Sequence, residues 1–146
     1  MGFSVSGATA VVLVGLLVCA ATLYPAADRH AERRADAVEA ADERALDRQN
    51  TALGSVNATY DPANDTLAVA VENAGAHTLA VPAVDLLVDG RYAAFEASVA
   101  GAGSPTTDVW APGETVRLTL TADPAPARVK VVTGPGVAAT ATVEVG

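Results

Sequence analysis

The side chains able to do metal or nucleophilic chemistry are few and scattered. The chain has two histidines, His30 and His77, and one cysteine, Cys19. His30 lies in a charged run and His77 far beyond it, so spacing gives no reason for a shared metal. A lone cysteine makes neither an internal disulfide nor a thiolate zinc site. Ser104 has no evident base, and nothing supplies the rest of a triad around His77. Asp61, Asn64 and Asp65 form a cluster with cation-ligand chemistry. Their spacing is not that of an EF-hand loop, and Asp and Asn at this density read first as turn formers. Asp85 and Asp89 specify no hydrolytic pair. No phosphate-cradling glycine loop is present. The expectation is a non-enzyme without catalytic residues, metal or cofactor. Two sequons, Asn57-Ala58-Thr59 and Asn64-Asp65-Thr66, are candidate N-glycosylation sites and point to an exported domain.

If the chain does no chemistry of its own, its organisation must carry the function. No charged side chain occurs from Gly2 to Ala27, and then charges arrive at nearly every second position. The uncharged run is too long for the apolar core of a secretory signal and lacks its basic start. As a helix it would extend ~39 Å, beyond the ~30 Å hydrocarbon layer. Lipid requires that a crossing segment satisfy its own backbone, so helix is the expected form. Residues 1–27 are therefore read as a retained membrane anchor carried by Ala8, Val11, Leu13, Leu16, Leu17 and Leu23. Arg29, Arg33 and Arg34 follow it, which by the positive-inside count would keep the C-terminal part in the cytoplasm. The two sequons argue the opposite side.

Residues 28–53 contain no Gly or Pro and are rich in Ala, Glu and Arg, the composition of a helix. Ala31, Ala35, Val38, Ala45 and Ala52 make a narrow stripe at alternating three- and four-residue spacing. That is a thin seam for a homo-oligomer, spoiled by Asp42 and Gln49. A solvated single helix fits the same residues. Either way the element is a spacer that would project ~35 Å from the membrane.

From residue 54 to 146 the period changes. Leu67, Val69 and Val71 alternate, as do Val116, Leu118 and Leu120, and Val129 with Val131. Strands are expected at 55–60, 66–72, 84–89, 91–97, 115–121, 128–133 and 137–145. Asp89-Gly90 is a strong hairpin signal, and Pro112-Gly113 and Gly134-Pro135-Gly136 mark further turns. No helical pattern separates the strands, so the fold class is mainly β: an immunoglobulin-like antiparallel β-sandwich behind a transmembrane helix and a charged stalk. One Trp, three Tyr and two Phe leave a thin core. Trp110 suits core packing or partner contact. With Ser104, Thr106 and Thr107 of the adjoining loop it forms the candidate partner-binding set. The net charge of −8 and pI of 4.5 exclude a basic patch for phosphates, so no nucleic-acid partner is expected, and they suit a surface soluble in concentrated salt.

The opening Met1-Gly2-Phe3-Ser4-Val5-Ser6-Gly7, the apolar run ending Ala21-Thr22-Leu23-Tyr24, the mixed-charge helix and Asp47-Arg48-Gln49-Asn50-Thr51 resemble the archaellum stator protein family of haloarchaea, FlaF or ArlF. The resemblance covers the whole layout and is most specific in the first third. It implies a single-pass component of the archaellum with its β domain between the membrane and the surface layer. In that family the domain engages the surface-layer protein and works with the related stator protein FlaG or ArlG. The chain lacks a Lys/Arg-Gly processing signal before its apolar run, which fits a retained stator better than a processed filament subunit. A pilin-like filament subunit, and an extracellular glycan- or cation-binding module, are the alternative readings.

Overall fold

The computed structural model describes the backbone of residues 3–100 and 107–146, and within the N-terminal helix the side chains of 7–21, 29 and 32–50. That helix, α1, runs unbroken from Phe3 to Asn50. The chain divides into two compact units, Met1–Glu43 and Arg44–Gly146.

In the first unit the described side chains of the uncharged run face solvent all round: Val11, Val12, Leu13, Val14, Leu16, Leu17 and Val18 are each exposed. Leu23 and Ala31, and the contribution expected of each, lie outside the described side chains. Among the described residues no helix is long and apolar enough to cross a membrane. The described part of the run, 7–21, is shorter than the roughly 20 residues a crossing takes. Further along, Ala35 is exposed and Val38 is 61% exposed. One expectation fails at the end of the stalk. The helix stops at Asn50, Ala52 lies beyond it, and Leu53 already belongs to a strand, so Ala52 cannot continue a helical seam. The reason is local: Thr51 turns its hydroxyl back to the Asp47 carbonyl at 2.7 Å and closes the last turn.

The second unit is mainly β, a curled eight-stranded sheet with a separate two-stranded pair. Its strands are β1 (Leu53–Asp61), β2 (Thr66–Asn73), β3 (Leu79–Ala80), β4 (Asp85–Val88), β5 (Arg91–Ala93), β6 (Glu96–Ala100), β7 (Val109–Trp110), β8 (Thr115–Thr121), β9 (Arg128–Val132) and β10 (Ala138–Val145). Period-two alternation builds one inner face row by row. Tyr60, Leu67 and Leu120 are cross-strand neighbours, as are Ala58, Val69, Leu118 and Ala97, and Val56, Val71, Val116 and Val99. The facing sheet supplies Leu86 beside Val131, and Val88 beside Val129. Leu67, Val69, Val71, Leu86, Leu118, Val129 and Val131 are fully buried between them. Such rows of β-branched and γ-branched side chains hold a sheet pair by area removed from water, at ~25 cal/mol per Å².

The sheets are not purely antiparallel. β10 pairs antiparallel with β9 over 138–142 and then crosses to pair parallel with β1 over 143–145. It thus belongs to both layers, and the ladder reads β5-β4-β9-β10-β1-β2-β8-β6, with β3 and β7 as a separate pair. The expected 91–97 strand is broken: β5 ends at Ala93, and β6 joins the opposite sheet beside β8. The Asp89-Gly90 turn forms as its residue types require, with φ of 48° and 82°.

Candidate functional site

Among the described residues no group of three His, Cys, Asp or Glu side chains could hold a metal. The Asp61 loop shows where such carboxylates go. Asp61 accepts from the Ala63 amide at 2.9 Å and from Asn64 Nδ2 at 2.7 Å. These bonds, the one from Asn64 foremost, hold its carboxyl below the usual carboxylate range. Asp65, in a left-handed conformation at φ 49°, accepts from the Tyr60 hydroxyl at 2.9 Å. That bond first, then burial and the nearby carboxylates, raises the Tyr60 phenol. Both carboxylates serve the turn. Asn57 and Asn64, the two sequon residues, are exposed and border the same open face of β1 and β2.

Of the expected partner-binding set, the described residues include Thr107 and Trp110. Ser104 and Thr106 lie outside the described residues. Thr107 is half-buried, and its hydroxyl accepts from the Val109 amide at 3.2 Å. Trp110 has no exposed surface, so a partner cannot touch its ring. Of its two expected roles the structure takes packing: the ring fills the core and Nε1 donates to the Glu114 carbonyl at 2.8 Å. The same Glu114 accepts through Oε2 from the Ala111 amide at 2.8 Å, closing the Pro112-Gly113 turn.

The most heavily constructed place in the second unit is one the sequence did not announce, where the last turn of α1 meets β1 and the loop after β2. The terminal carbonyls of a helix lack intrahelical donors. Here the Asn50 carbonyl receives two, from the Ala76 amide at 2.9 Å and the His77 amide at 3.1 Å. The Ala52 carbonyl receives the Ala74 amide at 2.9 Å. Gly75 passes between them. A Cβ there would lie 2.5 Å from the Asn50 oxygen and 2.6 Å from the Ala52 nitrogen, so only glycine fits.

Asn73 holds that loop from beneath. Its side chain is fully buried, with Nδ2 donating to the His77 carbonyl at 2.9 Å and the Trp110 carbonyl at 3.1 Å, and Oδ1 accepting from the Gly75 amide at 3.1 Å. A buried amide with its donors and acceptor engaged specifies one arrangement of the segments it joins. Two longer tethers complete the joint. Arg48 Nε donates to the Pro135 carbonyl at 3.1 Å, and His77 Nδ1 lies 4.0 Å from Asp47 Oδ1. The sequence did not single out Asn73 or Gly75, because their role depends on a helix end more than twenty residues earlier in the chain.

A mainly β unit following one long N-terminal helix is the architecture these residues define. The chain belongs to the archaeal-type flagellin family, whose model matches residues 2–144. The archaellum resemblance of its first third is thereby upheld at family level. The archaellum periplasmic stator protein FlaG of Sulfolobus acidocaldarius is similar to it at 19% identity, over 62% of this chain and 97% of that one, with a TM-score of 0.43. The FlaF and FlaG stator complex of the same organism matches at 15% identity, 60% and 89% coverage and a TM-score of 0.37. The ligand-binding region of serine-glutamate repeat protein A of Enterococcus faecium matches at 10% identity, 65% and 97% coverage and a TM-score of 0.33. No curated protein sequence matches significantly.

Proposed function

We propose that this chain is a static, envelope-anchored component of the archaellum motor. The apolar start of α1 is its membrane anchor, and residues 28–50 are a spacer. The β-sandwich is a head, outside the membrane, that holds the surface-layer protein and works beside a FlaG-type stator protein. The observation that carries this reading is the joint at Asn50, Gly75 and Asn73. There the last turn of the helix is tied to the loop after β2 by backbone hydrogen bonds rather than followed by a flexible linker. The apolar sheath around residues 11–18 supports the anchor, since a helix that is hydrophobic all round needs a hydrophobic surrounding. Ser104, Thr106 and Thr107 stay as contact candidates. Val38 and Ala45 stay as a weak seam between copies.

The test has two parts. A Thr107→Cys label in a Cys19→Ser background should react with a membrane-impermeant maleimide on intact cells, and protection from it would place the head inside and end the proposal. Deleting residues 29–42 should leave the head folded and abolish swimming, and normal swimming would equally end it. The family's flagellin membership favours a second reading, a filament subunit. Purified filaments containing this chain as the main repeating subunit would select it.

A further inference from the structure

Beyond α1 the chain carries only four cationic residues, Arg91, Arg117, Arg128 and Lys130, among a much larger number of carboxylates. Three of the four lie on β5 or β9, neighbours of β4 in one sheet. Lys130 and Arg128 are two apart on β9, so they leave the same outer face about 7 Å apart. Cross-strand pairing continues the row: Lys130 is opposite Leu87, and Leu87 is opposite Tyr92. Tyr92 is 76% exposed, the most exposed large apolar side chain of the head. Beside Leu87, Arg128 and Lys130 lies a shallow groove of about 260 Å³, lined also by Gly90, Val129 and Thr140.

The nearby acids do not neutralise this patch. Asp89 spends its carboxylate on the backbone amides of Ala127 and Arg128, at 3.2 and 3.0 Å. Asp85 stands at the other end of β4, opposite Val132. Among the described residues neither Arg128 nor Lys130 has an ion-pair partner. The outer face of the other sheet offers Asn57, Thr59, Thr66, Ala68 and Ala70 around a single Arg117, with no exposed aromatic.

We infer that the Tyr92–Leu87–Lys130–Arg128 face is a docking surface for an acidic protein, the tyrosine seating in an apolar recess of the partner while Arg128 and Lys130 meet its carboxylates. Exposed aromatics and arginines are the residue types on which interfaces concentrate their energy. Cations set in an otherwise acidic head steer an acidic partner to this face and repel the same face of a second copy. The inference deepens the anchoring function proposed above by naming the face that grips.

The test places a photo-crosslinking amino acid at Tyr92 in the full chain in living cells and identifies the adduct by mass spectrometry. An adduct with a protein of acidic surface is expected. Arg128→Glu with Lys130→Glu should lower its yield about tenfold or more. Arg128→Lys with Lys130→Arg, and Arg117→Glu on the opposite face, should leave it within about twofold. If the partner is the surface-layer protein, the anchoring reading stands too. If it is another acidic protein, this face stands and the surface-layer reading falls. No adduct, an adduct with a second copy or a basic protein, or a yield indifferent to charge reversal overturns the inference.

Discussion

Gly75 runs so close to Asn50 that no side chain fits between them: a Cβ would stand 2.5 Å from the Asn50 carbonyl oxygen. The same oxygen accepts the next two amides of the loop. The clash is with backbone, which cannot rotate away, so Gly75→Ala must either part the loop from the helix or distort both. The expected cost is about 1–3 kcal/mol. It should appear in thermal unfolding as a drop of roughly 4–8 °C per kcal/mol, and in hydrogen exchange as lost protection at Ala76 and His77. An unchanged melting curve would show that the two segments separate freely.

Asn73→Ala removes the donor to two carbonyls and the acceptor for one amide at a fully buried site. Groups left unsatisfied in the interior cost about 1–3 kcal/mol. Asn57→Ala, at an exposed position, should change stability by no more than about 0.5 kcal/mol. Chemical denaturation of the two variants compares them directly, and equal midpoints would remove Asn73 from its central place.

Trp110→Ala empties the largest side-chain volume of the core and removes one of the two donors to the Glu114 carbonyl, leaving the Asn73 amide. A loss of about 3–5 kcal/mol is expected from the cavity and transfer contributions. Trp110→Phe should recover much of it, and the indole fluorescence of the parent should be blue-shifted and poorly quenched by iodide. Ready quenching would contradict burial.

The Tyr60 loop gives stability two pH limits. The Tyr60 phenol is raised above its ordinary value of 10.0, so its contribution is full below that value and is lost as pH rises through the raised one. The Asp61 carboxyl is lowered below 3.8, so its contribution is present above that value and is lost as pH falls through the lowered one. Tyr60→Phe should flatten the alkaline limb of a stability–pH curve and Asp61→Asn the acid limb. Limbs that persist in both variants would assign them to other groups.

The strands with the clearest alternation, β2 and β8, were legible almost to the residue, because period two and a buried face are local properties. The Asp89-Gly90 turn was legible for the same reason. What the chain did not declare were relations at a distance. The 91–97 run is uniformly strand-like, yet it breaks after Ala93 because its two halves pair with different sheets. β3 and β7 are two residues each and have no period to read. Trp110 could be assigned to core or surface only once the loop to Glu114 was closed around it. Asn73 and Gly75 look like any Asn-x-Gly turn until the end of the helix is placed against them.

The parallel pairing of Ala58–Tyr60 with Val143–Val145 has a mechanical meaning. β1 is the strand that continues directly from α1, and over these residues it is bonded on one side to β2 and on the other to β10. Ladder bonds stand across the strand axis. Tension drawn along β1 therefore strains both rows in shear, all rungs together, where a hairpin at the edge would open like a zipper, one rung at a time. The strand that follows the helix is the one clasped from both flanks.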